Sequence, residues 1–107
     1  MIERGFSEQQ QRRIAGYLGI AQRAGMIMAG DMAAQTAISG GRACLLVVAE
    51  DAAERLREQF AALAGEREIP LIYWPDKQSL GAIVGKSRRG ALALTDAGIA
   101  AAIIKLL

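Results

Sequence analysis

The chain has 107 residues, 52% of them hydrophobic and 22% charged, which suits one domain with a real interior and is too apolar for a disordered segment. Lys plus Arg total 13 against 11 Asp plus Glu, so a formal charge of +2 does not by itself announce a polyanionic partner. There is no histidine and a single cysteine, Cys44, which removes an intramolecular disulfide, a Cys/His zinc site and every histidine-based general base or triad.

After residues 1–9, read in part as a flexible lead-in, Ile14, Leu18, Ala21 and Ala24 recur at helical spacing and predict a first helix from Ser7 to Ala24. Gly16 and Gly19 inside it each cost about 1 kcal/mol relative to Ala, which points to close approach of another backbone, and Gly25 stops the helix. Met26 to Ala29 reads as a short strand. Gly30 and Asp31 then open a second helix on Ala33, Ala34, Ala37 and Ile38, which Gly40 and Gly41 end. Ala43 to Ala49 is an uninterrupted apolar run, the pattern of a strand buried on both faces.

Asp51 and Glu54 form a capping-box pattern ahead of a third helix on Leu56, Phe60 and Leu63, closed by Gly65. Leu71 to Trp74 is a strand between two prolines, after which Asp76 caps a helix carrying Leu80, Ile83 and Val84. Ala91 to Leu94 is the last strand, and Thr95 or Asp96 caps a final helix on Ile99, Ile103 and Leu106. Strict alternation of strands and helices predicts an α/β fold. The expected form is a three-layer α/β/α sandwich with a mixed, partly parallel four-stranded sheet.

No run approaches the roughly 18–20 apolar residues of a membrane span, and residues 1–13 lack the apolar stretch of a signal peptide, so the cytoplasm is expected. Gly81-Ala-Ile-Val-Gly85-Lys86-Ser87 looks like a phosphate-binding loop but has three residues between its glycines where four are needed. It also closes a helix instead of opening one, so nucleotide hydrolysis is not expected. Cys44 adjoins the most apolar strand and reads as core. Met26, Met28 and Met32 read as core filling too, with Met32 kept open as a surface residue.

Charge is unevenly distributed: residues 50–68 carry six acids against three bases, and residues 69–107 five bases against two acids. Lys77, Lys86, Arg88 and Arg89 form an acid-free cluster whose last three members lie between Gly85 and Gly90. Such a cluster is often a solvated loop, but flanking glycines let it approach a phosphate backbone closely. Gly30-Asp31 is the other candidate, since a helix N-terminus presents free amides and a positive partial charge.

Taken in order, Leu18-Gly-Ile-Ala-Gln-Arg-Ala-Gly25, the Gly30 helix start, Leu45-Leu-Val-Val-Ala-Glu-Asp51, Leu80-Gly-Ala-Ile-Val-Gly-Lys86 and Ala93-Leu-Thr-Asp96 resemble the kink-turn-binding ribosomal-protein family, L-seven-Ae/L-thirty-e, in its small bacterial YlxQ-like branch. The resemblance covers roughly residues 10–107. It implies an RNA site in which the second helix reads tandem G·A pairs in the opened groove of a kinked RNA while two loops clasp the flanking strands. An unbent A-form major groove is too deep and narrow to be read in this way. By position the reading segment runs from Gly30 through Asp31, Met32 and Ala33 to Thr36. The first clasp is Glu50-Asp51, and the second is Lys86, Ser87, Arg88 and Arg89.

The family's kink-turn readers carry Asn and Glu where Met32 and Ala33 stand, and Lys where Thr36 stands; Asp31 adds repulsion toward phosphate. A bidentate base contact is worth about 1–3 kcal/mol on the DNA scale, so loss of several removes tight kink-turn discrimination. The expected function is therefore a non-catalytic module for ribosomal or other structured RNA, with ribosome or transcription and translation proteins as further partners. No cofactor, metal, membrane or small-molecule substrate is expected. The competing reading is a protein-interaction domain on the same scaffold, with Met32 in an apolar contact patch.

Overall fold

Strands and helices alternate along the computed structural model, which describes residues 1–107. In chain order the elements are β1 (Ile2–Glu3), α1 (Glu8–Arg23), β2 (Ile27–Ala29), α2 (Asp31–Ser39), β3 (Leu45–Ala49), α3 (Glu54–Arg67), β4 (Leu71–Trp74), α4 (Lys77–Ile83), β5 (Ala91–Leu94) and α5 (Ala97–Ile104). The strands form one mixed sheet in the order β1-β4-β3-β5-β2. β1 and β3 run parallel to β4, whereas β5 is antiparallel to both β3 and β2.

Every residue of β3 is fully buried although successive side chains point to opposite faces, so both faces of the sheet must be covered. One layer is α1 packed against α4 and α5, with Gln10 Nε2 donating to the Leu106 carbonyl at 2.8 Å. In the other, Arg67 of α3 donates from Nη1 to the Ile38 carbonyl of α2 at 3.1 Å. The result is the α/β/α sandwich expected from the alternation. Its core is a continuous cluster of 27 buried residues with no buried polar side chain, so its cohesion comes from apolar burial rather than internal polar networks.

Local chemistry explains most boundaries. Ser7 and Gln10 complete a reciprocal capping box at the start of α1 (Gln10 N to Ser7 Oγ 3.1 Å, Ser7 N to Gln10 Oε1 2.9 Å). Gly25, at φ 74°, ends the helix in a Schellman turn in which Met26 N donates to Ala21 O at 2.8 Å. Asp76 and Asp96 cap α4 and α5 through Ser79 N (2.7 Å) and Ile99 N (2.8 Å).

Four expectations are corrected. The sheet has five strands, because Ile2–Glu3 in the supposed lead-in pairs with β4 and Met1 O accepts from Leu71 N at 2.9 Å. α3 passes through Gly65 to Arg67 and ends at Glu68, a left-handed residue at φ 55°. The residue before α3 is Ala53, which makes no side-chain cap bond; the Asp51 carboxylate instead reaches Lys77 N at 2.8 Å. Finally, no backbone approaches Gly16 or Gly19: nothing lies within 4 Å of a Cβ built at Gly16, and only the Arg23 side chain nears one at Gly19.

Candidate nucleic-acid interface

The topology sends five chain segments to one edge of the sheet. β1, β4, β3 and β2 end there and β5 starts there, which lines up Arg4, Trp74 to Lys77, Glu50-Asp51, Arg89-Gly90 and Gly30-Asp31. Backbone bonds join neighbours along this row: Glu50 N to Trp74 O (2.7 Å), Ala49 N to Gly90 O (2.8 Å) and Gly30 N to Ala91 O (2.9 Å).

At one end of the row, Gly30 precedes α2 with φ 105°, a conformation that L side chains rarely adopt. It offers no side chain to cap the helix, and the amides of Asp31, Met32 and Ala33 donate to no protein acceptor. Three N–H groups and the positive end of the helix therefore face solvent. Met32 is 83% exposed. Core filling therefore fails for Met32, and for the partly exposed Met26, and applies to Met28, which packs against the core. Half-buried Ala33 has no polar group, and the Thr36 hydroxyl donates back into its own helix at Met32 O (2.9 Å).

The 85–90 loop lies beside this turn. Its fixed point is Gly81 in α4, where the Ser87 carbonyl packs so closely that an added Cβ would overlap it. Lys86 N donates to Gly81 O at 2.8 Å and Arg89 N to Lys77 O at 3.1 Å, so backbone bonds tie the loop to α4 at two points. The P-loop-like residues thus do something different from phosphate wrapping: the first glycine admits the loop that the last residues form. Arg89 Nη1 reaches Ser87 Oγ and Arg88 O, both at 3.0 Å, and its Cδ and Nε lie 3.9 Å from where a Cβ at Gly30 would be. One guanidinium nitrogen is thus spent on shaping the loop, while the fork's other N–H groups remain available. Lys86, Ser87 and Arg88 are exposed.

Glu50 and Asp51 are in the row but already engaged. Glu50 makes the molecule's one ion pair, with Arg4 at 3.8 Å, and Arg4 sits 4.2 Å from the centroid of the Tyr73 ring. Asp51 closes the first turn of α4 through Lys77 N. Asp51 therefore has a structural task, whereas the exposed pair of Glu50 with Arg4 is a surface contact of little energetic weight. The loop's surroundings are also less free of acid than its sequence, since Asp31 Oδ1 lies 3.7 Å from the Cβ position of Gly90.

A model of the ribosomal protein L7Ae/L30e/S12e/Gadd45 family matches residues 12–104. The chain belongs to this family. It is 30% identical over 90 residues to the RNA-binding protein YlxQ of Bacillus subtilis (strain 168), covering 84% of this chain and 90% of that protein. Among solved structures, a protein of unknown function from Bacillus halodurans C superposes with a TM-score of 0.83 at 26% identity, over 88% of this chain and 95% of that one. A Giardia lamblia 15.5kD RNA binding protein superposes with a TM-score of 0.77 over 95% of this chain and 93% of that one. Its 16% identity makes it a likeness of fold alone.

Within this family member, the sequence places Gly30 to Thr36, Glu50-Asp51 and Lys86 to Arg89 on three separate segments, and the fold brings all three to one edge. Sequence reasoning missed Gly81, whose signal was a glycine amid the apolar positions of a short helix. It also missed Arg4, which directly follows a strand of two exposed residues and precedes the family match.

Proposed function

We propose that this chain is a single, non-catalytic RNA-binding domain that acts in the cytoplasm on structured RNA, ribosomal RNA included. The observation that carries this reading is the pairing of three open amides at the start of α2 with the cationic 85–90 loop, which backbone bonds hold against α4. Amides and arginines at one edge suit phosphate oxygens. The RNA-binding designation of the relative YlxQ supports the same reading. Lys86 and Arg88 contact the backbone directly, and Arg89 both shapes the loop and donates to phosphate. Met32, Ala33 and Thr36 lack the groups for base readout, so the domain recognises RNA shape and charge without demanding sheared G·A pairs.

The test is binding to a kink-turn RNA and to the same RNA with its G·A pairs replaced, across a salt series. Similar affinities that fall steeply with salt are expected; a large gap between the two RNAs overturns the lack of discrimination. Arg88→Ala with Arg89→Ala should weaken both complexes alike and reduce the salt slope by about 1–2 units, at about 0.7–0.9 per lost phosphate contact. The 83% exposure of Met32 favours a second reading, a protein-interaction surface at the same edge. That reading takes over if the double variant binds RNA as well as the parent does and Met32→Ala abolishes a salt-insensitive protein complex.

A further inference from the structure

Beyond the sheet edge, a second basic surface runs along the seam where α1 packs on α4. Arg12 and Arg23 are exposed and stand eleven residues apart, just over three full helical turns, so they share one face of α1 about 16 Å apart. Between them the seam forms a trough of two hollows that meet at Ile83 of α4: Arg12 and Ala15 line one, Gly19 and Arg23 the other. Its far end is lined by Gly85, the residue that opens the basic loop. Neither arginine is ion-paired, because the molecule's single ion pair is Arg4 with Glu50. The one carboxylate lining the trough is Glu8, at the start of α1, where it also favours the helix N-terminus. Asp76, at the start of α4, is occupied in capping Ser79 N. No acid lies between Lys77 and Gly90.

We propose that this trough is a backbone track for a single RNA strand continuing from the 85–90 loop. The inference rests on the RNA-binding reading and extends it to a surface outside the candidate segments Gly30 to Thr36, Glu50-Asp51 and Lys86 to Arg89. Two helices in contact have axes about 8–10 Å apart, so the channel between them admits one strand and not a duplex. Unpaired guanidinium groups at both ends of the channel complement a chain of phosphates. Gly19 contributes no side chain to obstruct it. Recognition is by charge and is indifferent to sequence, since the seam offers no aromatic platform along this stretch except the buried Trp74 at one end.

The experiment compares the full chain with Arg12→Gln/Arg23→Gln on two probes: a stem with an internal loop, and the same RNA with a single-stranded oligouridine tail. The parent is expected to bind the tailed probe several-fold more tightly. The variant should bind both probes at the parent's untailed affinity, with the salt slope on the tailed probe reduced by about 1.4, two contacts at about 0.7 each for single strands. Gly19→Glu, which puts a carboxylate into the trough and favours the helix, should remove the same gain by a different route. A tail that adds nothing for the parent, a gain that survives both variants, or an equal loss on both probes overturns the track while leaving the edge site standing. Failure of the parent to bind either probe would instead remove the RNA-binding reading on which the track depends.

Discussion

Gly81 has no Cβ, and the Ser87 carbonyl occupies the place where one would be. Gly81→Ala must therefore push the 85–90 loop away from α4 and stretch the bond from Lys86 N to Gly81 O. Overpacking of this kind typically costs about 1–3 kcal/mol, and here the strain falls on the loop that carries the cations. The variant should melt earlier and lose RNA affinity together; a parent-like melting temperature with parent-like affinity would show that the loop is not held this way. Asp51 gives a second residue-scale test. Its carboxylate caps α4 from a distance of 26 residues in sequence, so Asp51→Ala should cost about 0.5–2 kcal/mol in urea denaturation, with Asp51→Asn milder. Glu54→Ala should cost less than Asp51→Ala. The opposite ranking would restore the local capping box that the spacing of Asp51 and Glu54 suggests. The spacing misleads because a local pattern cannot reveal a competing donor far along the chain, here Lys77 N.

At the scale of elements, most of the architecture was legible because its causes are local. Ser7, Gly25, Asp76 and Asp96 mark helix ends by chemistry confined to three or four residues, and Leu71–Trp74 and Ala91–Leu94 declare themselves by uninterrupted apolarity. β1 could not be read in this way. It has two residues, both exposed, and its only reason to be a strand is the free edge of β4. Gly65 misled for the opposite reason: a glycine inside a helix costs about 1 kcal/mol, which the surrounding burial of Phe60 and Ala64 outweighs. The positions of the site segments were legible from the resemblance, but their mutual closeness and the prior engagements of Glu50, Asp51 and Arg89 depend on tertiary contacts. Gly16 yields an element-scale prediction of the other sign. It sits in the helical interior of α1 with nothing near a Cβ, so Gly16→Ala should stabilise the protein by about 0.5–1 kcal/mol. Thermal unfolding should register this as a rise of several degrees; a fall would reveal a contact at that face.

For the molecule as a whole, cohesion rests on one apolar cluster without a polar network to share the load. Phe60 is among its largest fully buried side chains, and Phe60→Ala should cost about 3–5 kcal/mol. A domain of this size has about 5–15 kcal/mol in total, so the midpoint of chemical denaturation should fall by a large fraction; a small shift would mean that the sheet and helices collapse onto the vacated space. The position of β5 has a consequence for how this cluster comes together. β5 is the last strand in the chain, yet it lies between β3 and β2, and it is the only partner β2 has. Synthesis and assembly therefore run out of step. Until Ala91–Leu94 has been made, β2 has no strand to pair with and β3 has an open edge, so a fragment of residues 1–90 should show no dispersed amide spectrum. Throughout that interval the nascent chain presents apolar strand edges to its neighbours, the condition under which strands pair between molecules instead of within one.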